Sequence, residues 1–61
     1  MYEGDWLNNT AEGKGKYIYA DGEYYIGEFK NNERGGFGIQ YDSNGNIISQ
    51  GNWLNDNFIG N

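Results

Sequence analysis

Two stretches decide the fold, Tyr2-Glu3-Gly4-Asp5-Trp6 and Tyr25-Ile26-Gly27-Glu28-Phe29. They share the pattern Tyr-x-Gly-x-aromatic and stand 23 residues apart, counted between their glycines (27 − 4). Three further glycine pairs have the same offset: Gly13 and Gly36, Gly15 and Gly38, and Gly22 and Gly45. Self-similarity at a fixed period is the signature of a repeat protein. We therefore divide the single domain, residues 1–61, into units at 2–24 and 25–47 and a truncated third unit at 48–61.

Each unit is predicted to be a pair of antiparallel β-strands. Period-2 alternation runs through residues 24–29, which is typical of a strand with two different faces. We expect a polar link at residues 7–13 and 30–36, and then a second strand at 15–20 and 38–42. No stretch has helical periodicity. The pattern predicts an all-β antiparallel meander of about five strands with a sixth begun.

The units are joined by residues that favour tight turns. Asp21-Gly22 lies between the first two units, and Ser43-Asn44-Gly45-Asn46 lies between the second and third. Asp-Gly and Asn-Gly favour hairpin turns in which both central residues have positive φ. The third unit begins at Gly51-Asn52-Trp53, one residue later than the period requires. The extra residue after Gly45 predicts a bulge or a longer turn.

The fixed spacing of Tyr-x-Gly-x-Trp/Phe, Gly-x-Gly and Asp-Gly resembles the MORN repeat over essentially the whole chain. Gln40 departs from the pattern, because it replaces the tyrosine found at Tyr17, and Ser49 stands where the third unit would open with tyrosine. The resemblance implies an elongated, single-layer, twisted β-meander of tandem hairpins with a groove of aromatic side chains. It also implies roles in scaffolding and dimerisation, and in some members an association with membrane phospholipid.

Alternation separates the large side chains onto two faces. We expect an aromatic groove on one face, where glycines make room for rings from neighbouring strands. Its members are Tyr2, Trp6, Tyr17, Tyr19, Tyr25, Phe29 and Trp53. The opposite face is predicted to carry Ile18, Tyr24, Ile26, Phe37, Ile39 and Tyr41, with Ile47 or Ile48 beside them. A single layer cannot cover both faces, and an exposed apolar patch marks an interaction site. This second set is therefore the predicted protein-binding surface.

Composition excludes several classes of function. The net charge is −5, which disfavours direct binding to nucleic acid and docking on an anionic membrane, because both require clusters of Lys and Arg. The chain contains neither Cys nor His, so it lacks thiolate and imidazole ligands and an imidazole base. Asp42-Ser43-Asn44-Gly45-Asn46 begins like a calcium loop, but its sixth position is Ile47 rather than glycine. No catalytic residue, metal or cofactor is predicted, and a cytoplasmic location is expected.

These observations favour a non-enzymatic protein-interaction module that binds a protein partner or forms a homo-oligomer. One alternative is a small acidic inhibitor of a nucleic-acid-processing or defence enzyme, as some phages encode. Its acidic side chains would imitate phosphates: Glu3, Asp5, Glu12, Glu28, Glu33 and Asp56. A second alternative is a peripheral phospholipid-associated module, which the resemblance supports and the negative charge opposes.

Overall fold

The fold is a single open β-sheet. The computed structural model describes residues 1–60, which form β1 (Tyr2–Leu7), β2 (Thr10–Ile18), β3 (Tyr24–Lys30), β4 (Glu33–Tyr41), β5 (Ile47–Leu54) and β6 (Asn57–Gly60). Each strand pairs antiparallel with the next, in the order β1-β2-β3-β4-β5-β6. The predicted all-β meander is confirmed. Asn61, the last residue of the third unit, lies outside the described residues.

The turn inside each unit is much shorter than the predicted polar link. Each hairpin closes through two residues only, which are Asn8-Asn9, Asn31-Asn32 and Asn55-Asp56. All six residues have positive φ, between 49° and 72°, as a type I′ turn requires. The expected links at 7–13 and 30–36 were wrong, because most of those residues belong to strands. Asparagine and aspartate tolerate the left-handed region better than other side chains, which explains the paired positions.

The turns between units differ from the predicted primed turns. Gly22 has φ of 94°, but Asp21 is not in the positive region. The Gly22 amide donates to the Tyr19 carbonyl at 3.1 Å, and the Tyr19 amide donates to the Glu23 carbonyl at 2.8 Å. The loop therefore has three residues, 20–22, and ends in a left-handed glycine. Such loops combine a type I turn with a glycine bulge.

The extra residue of the third unit forms a bulge in β5. Gln40 pairs with Ser49, whereas the next residue, Tyr41, pairs with Ile47. Ile48 is thus the unpaired residue, and the predicted bulge is confirmed. The loop at 43–45 keeps the geometry of the earlier one, since the Gly45 amide donates to the Asp42 carbonyl at 3.0 Å. The insertion is absorbed in the strand and leaves the turn unchanged.

The sheet is one layer thick. All six strands belong to one sheet, and the principal extents of the molecule are 32 × 24 × 13 Å. No helix long and apolar enough to span a membrane occurs in the part of the chain that the structure describes. The core is instead assembled from one face of the sheet, where Ala11, Tyr25, Phe29 and Trp53 are buried.

Glycines let the central ring lie flat on the sheet. Tyr25 is fully buried, and its hydroxyl donates to the Glu28 carbonyl at 2.9 Å. Its ring and hydroxyl occupy the space that a Cβ on Gly38 would fill, and the hydroxyl also lies 2.8 Å from the position of a Cβ on Gly27. Tyr2 covers Gly15 and Gly4 in the same way one unit earlier. The rings of Tyr2 and Tyr25 therefore pack directly on the backbone of paired glycines in the sheet.

Candidate functional site

The aromatic groove predicted from the sequence is largely its own core. Phe29 and Trp53 are only 6% exposed, and Tyr25 lies between them. The Tyr25 ring stands edge-on to both, with centroid distances of 5.1 Å to Phe29 and 5.3 Å to Trp53. Each such contact contributes about 0.5–1.5 kcal/mol beyond the burial of area. These three rings hold the second and third units together.

The groove opens towards the first unit. Tyr2 and Tyr19 are half-buried against the core, whereas Tyr17 and Trp6 are exposed. Tyr17 and Tyr19 pack at a centroid distance of 4.8 Å. A shallow cavity of about 160 Å³ lies beside them, lined by Tyr17, Tyr19, Phe29, Asn32, Arg34 and Asp56. The open end thus combines apolar rings with polar groups.

Arg34 crosses the groove and was not predicted to be there. Its guanidinium carbon lies 4.4 Å from the centroid of Trp53, an attractive cation–π geometry. Its Nε donates to Asp56 Oδ1 at 2.7 Å, Nη2 donates to the Asp56 carbonyl at 2.8 Å and Nη1 donates to Gln40 Oε1 at 3.2 Å. This bond satisfies the Oε1 of the buried Gln40 side chain. Arg34 therefore joins the second unit to the third through charge, hydrogen bonds and ring contact.

Repeat alignment was the signal that could have located Arg34. It stands 23 residues after Ala11, which is buried in the groove of the first unit. Gln40 likewise stands 23 residues after Tyr17. The second unit thus replaces an alanine–tyrosine pair with an arginine–glutamine pair that fills the same part of the groove. Arg34 and Gln40 are joined by the hydrogen bond between Nη1 and Oε1.

Electrostatics in the groove follow from burial and from Arg34. Burial raises the pKa of Tyr25 to about 12, although the positive charge of Arg34 opposes the shift. The pKa of Tyr19 is also raised by burial, against the same opposing charge. Burial favours a higher pKa for Asp56, but the hydrogen bonds and charge of Arg34 outweigh it and lower that pKa. The tyrosines are neutral and the Arg34–Asp56 pair is ionised near neutral pH.

The opposite face carries an apolar surface, called here the isoleucine patch: Ile18, Tyr24, Ile26, Phe37, Ile39 and Tyr41. Ile26 and Phe37 are exposed, and the other four are half-buried. The strand register places them beside one another, since Tyr24 pairs with both Ile18 and Tyr41, and Ile26 pairs with Ile39. The Tyr24 and Tyr41 rings are stacked, 4.7 Å apart at 17°. Ile26 is 42% exposed and Phe37 is 49% exposed. No element among residues 1–60 covers this patch.

Residues around the patch extend it and add charge of both signs. Ile47 is exposed and pairs with Tyr41 at the patch margin. The bulged Ile48 lies instead on the groove side, where it lines a cavity with Arg34 and Gln40. The Lys16 ammonium lies 5.0 Å from the Tyr24 ring centroid. Lys16 also pairs across strands with Glu3, which places opposite charges side by side. The patch is apolar at its centre with a mixed polar rim, as protein-binding surfaces are.

The six acidic residues of the inhibitor alternative do not form one row. Asp56 is paired with Arg34 in the aromatic groove. The other five alternate onto the face of the isoleucine patch, where lysines lie among them: Lys14 pairs across strands with Glu28, and Lys30 with Glu33. On one face of the sheet, lysines therefore lie among the acidic side chains. On the other face, Arg34 neutralises the charge of Asp56.

The polar side chains of Thr10 and Asp42 form hydrogen bonds beside turns. Thr10 Oγ1 donates to the Leu7 carbonyl at 2.6 Å beside the first hairpin turn. Asp42 Oδ1 accepts the amides of Asn44 and Asn46, both at 2.9 Å, so the calcium-like segment is a turn closed by its own carboxylate. Those backbone hydrogen bonds outweigh the effect of desolvation and lower the pKa of Asp42. No group of three or more acidic side chains placed to hold a metal ion occurs within residues 1–60.

Comparison with known proteins gives a consistent result. The family model of the MORN repeat matches residues 2–24 and 25–47, which is more than half of the chain. A curated relative, the MORN repeat-containing protein 3 of Xenopus laevis, is 42% identical over 61 residues. That alignment covers 90% of this chain and 26% of the relative, so the chain spans about a quarter of the relative's length.

Proposed function

Because this chain belongs to the MORN repeat family, whose members generally mediate protein or membrane interactions, we propose that it is a non-enzymatic protein-interaction module that binds its partner through the isoleucine patch. The observation that carries the proposal is the contrast between the faces. Phe29 and Trp53 are 6% exposed in the groove, whereas Ile26 and Phe37 are 42% and 49% exposed on the opposite side. The rings at the centre of the groove are packed against one another, whereas no element among residues 1–60 covers the patch.

The proposed partner is a different protein. Covering the patch removes apolar side chains from water, which contributes about 25 cal/mol for each Å² buried. A second copy is another chain of net charge −5, and the repulsion between two chains of like net charge opposes association. A partner with an apolar surface and a neutral or basic rim satisfies both conditions. Binding energy is then expected to concentrate in Ile26 and its neighbours, with the rim charges contributing little.

The test is affinity capture from the native lysate, followed by a binding titration with the captured protein. Ile26→Asp and Tyr41→Ala each alter the patch and should weaken binding by at least roughly tenfold, as expected for central interface residues. Glu12→Gln combined with Glu33→Gln is the control, because it changes charge on the same face and leaves the apolar side chains in place. It should leave affinity nearly unchanged and only slightly dependent on salt.

Two outcomes would overturn the proposal. Binding that tolerates Ile26→Asp and falls steeply with salt would show that charge carries recognition. Sedimentation that finds a stable dimer of the isolated protein, lost in Ile26→Asp, would show that the patch takes a second copy and not a different protein. Thermal unfolding of each variant must first show that the fold is retained, which the exposure of Ile26 leads us to expect.

A further inference from the structure

The open part of the aromatic groove contains two neighbouring cavities. Beside the cavity of about 160 Å³ lies a second one of about 400 Å³, lined by Tyr19, Asp21, Glu23, Arg34, Gln40 and Ile48. Tyr19 and Arg34 line both cavities, and the guanidinium carbon lies 5.8 Å from the centroid of the Tyr19 ring. These two side chains therefore form a ridge between two depressions on the same face of the sheet.

Ala11 is the reason that the groove is open beside Tyr17. Arg34, the equivalent of Ala11 one repeat later, reaches Gln40 with a hydrogen bond of 3.2 Å, and Gln40 is only 7% exposed. The side chain of Ala11 is too short for such a contact, and Tyr17, the equivalent of Gln40, is 36% exposed. Tyr17 lies in β2, which is paired on both sides, so the opening is on the face of the sheet and not at its edge.

Hydrogen-bond donors without acceptors surround the first cavity. Asn32 clips the preceding unit, because its Oδ1 accepts the Ala11 amide at 2.7 Å, and this leaves its Nδ2 group as the free end of the side chain. The hydroxyls of Tyr17 and Tyr19 donate to no acceptor within residues 1–60. A guanidinium has five N–H groups, and Arg34 uses three of them. This part of the groove therefore suits a ligand that brings acceptors.

A proline-rich segment is a ligand of that kind. Proline has no amide N–H, and a polyproline II helix makes no internal hydrogen bonds, so its carbonyls are free to accept. An extended β-strand would instead bring amide donors to a face of the sheet that has no free backbone acceptors. Grooves lined by aromatic rings are the surfaces on which polyproline II helices dock. Because this helix has three residues per turn, two depressions beside one ridge suit two successive turns.

Charge at the second cavity indicates which residues accompany the prolines. Asp21 and Glu23 line this cavity. The pair of Arg34 with Asp56 is the single ion pair among residues 1–60, so neither of these two carboxylates has a cationic partner there. The chain as a whole carries a net charge of −5. A proline-rich segment with basic residues at one end is therefore complementary to this part of the groove.

We propose that the open part of the groove is a second binding site, which takes a proline-rich segment of a partner in the polyproline II conformation. Its prolines lie against the rings of Tyr17 and Tyr19, on both sides of Arg34. Its carbonyls accept hydrogen bonds from the groove, and its basic end lies beside Asp21 and Glu23. This site is independent of the isoleucine patch, which lies on the opposite face of the sheet.

The probe is a fluorescently labelled peptide of seven prolines followed by two arginines, and its anisotropy is measured against the protein. We expect saturable binding. A peptide in which alternating glycine and serine replace the prolines keeps the charge but is a flexible coil. It should bind at least roughly tenfold more weakly, because it must be ordered on binding. A proline peptide that ends in two glutamates should also bind roughly tenfold more weakly, because it meets like charge.

Variants of the protein test where the peptide binds. Tyr17→Ala removes a ring from the site and should weaken binding roughly tenfold. Glu23→Lys should abolish the preference for the arginine peptide over the glutamate peptide. Tyr41→Ala is the matched control for loss of a ring, since it alters the opposite face, and Glu33→Lys is the control for a change in charge. Both controls should leave peptide binding unchanged.

A titration followed by nuclear magnetic resonance tests the same site in the unaltered protein. The side-chain amide signal of Asn32 should shift as the peptide is added, because its Nδ2 group lies in the groove. The side-chain amide of Asn52 is the internal control. Asn52 pairs with Phe37 across strands and lies on the face of the isoleucine patch, so its signal should stay in place.

Four results would overturn the proposal. The first is absence of binding by the proline peptide. The second is equal binding by the glycine–serine peptide, which would show that charge alone attracts the ligand. The third is undiminished binding by a folded Tyr17→Ala variant. The fourth is a shift of the Asn52 signal without one of Asn32, together with weaker binding by Tyr41→Ala, which would place the peptide on the isoleucine patch.

Discussion

At the scale of single residues, the fold depends on close contact between tyrosines and glycines. The ring of Tyr25 lies where a Cβ of Gly38 would be, so only glycine fits at position 38 with the ring in place. Gly35 is different, because a Cβ there would meet only the Lys30 Cβ at 3.6 Å, an ordinary contact. Neither glycine needs a positive φ. The two positions therefore differ in packing and not in backbone strain.

This difference predicts unequal effects of one substitution. Gly38→Ala forces the Tyr25 ring off the sheet, and overpacking of this kind costs about 1–3 kcal/mol. For a domain of this size each 1 kcal/mol lowers Tm by about 4–8 °C. Gly35→Ala should change Tm little. Thermal unfolding followed by circular dichroism measures both, and equal Tm values would show that Tyr25 does not rest on Gly38.

A second prediction at this scale concerns Asp56. Its lowered pKa means that it stabilises the fold at pH values above 3.8, its ordinary pKa, and that this contribution is lost as the pH falls through the folded-state pKa. Asp56→Asn keeps an oxygen for the Arg34 amide, as Asn32 does for Ala11, and removes only the charge. Because Asp56 is half-exposed, we expect a loss of at most about 1 kcal/mol at neutral pH.

Urea unfolding across pH measures this loss. The difference in unfolding free energy between wild type and Asp56→Asn should shrink as the pH falls from 3.8 through the lowered pKa of folded Asp56. It should approach zero below that pKa, since both side chains are then uncharged. Asp42 also titrates with a lowered pKa, but it is present in both proteins and cancels in the comparison. A difference that stays constant with pH would contradict the role of the ion pair.

At the scale of elements, the hairpin turns have two separate tasks. Positive φ at Asn9 and Asn32 closes each hairpin, and the side chain of Asn32 also clips the preceding unit. The sequence predicted that Asn9 lies within a polar link at residues 7–13. That prediction was wrong, because Asn9 belongs to a two-residue turn that requires the left-handed region. Comparing equivalent turns therefore separates the contribution of hairpin closure to stability from that of the hydrogen bond to the preceding unit.

The comparison uses one substitution at both turns. Asn32→Ala and Asn9→Ala place alanine at nearly the same φ, so they share the cost of backbone strain. Asn32→Ala also removes the bond to the Ala11 amide, which contributes about 0.5–1.5 kcal/mol. We therefore expect the unfolding free energy of Asn32→Ala to be lower than that of Asn9→Ala by this amount, so that Asn32→Ala has the lower denaturant midpoint. Equal midpoints would show that the clip contributes nothing to stability.

The elements also show what the sequence could and could not predict. The alternation of Tyr25, Gly27 and Phe29 on one face follows from the period of a strand. The glycine at position 22 correctly predicts a turn residue with positive φ. Hydrophobic alternation does not predict the position of Arg34, because it cannot place a charged residue among rings. Only the alignment of Arg34 with the buried Ala11, one repeat earlier, indicates that it lies in the groove. Its location depends on Asp56 and Gln40, which are distant in sequence and meet only after the units stack.

At the scale of the whole molecule, rings tie the units into one structure. Tyr2 contacts Phe29 across the first boundary, and Tyr25 contacts Trp53 across the second. Phe29 also contacts Tyr25 within its own unit. Because the sheet has only one layer, these rings form its core and no second layer adds another. We therefore expect residues 1–60 to unfold as one cooperative unit and not repeat by repeat.

Phe29→Leu tests this cooperativity. The smaller side chain keeps an apolar group in the core but loses the edge-on contacts to both tyrosines, so we expect a loss of roughly 1–2 kcal/mol. Native-state hydrogen exchange should show the same loss for the most protected amides of β2, β3, β4 and β5, because they exchange through a common opening. Phe37→Leu is the matched control on the exposed face and should change protection by less than about 0.5 kcal/mol. If Phe29→Leu reduced protection only in β3 and left β5 unchanged, the units would open independently, and the rings would be local packing and not the link between repeats.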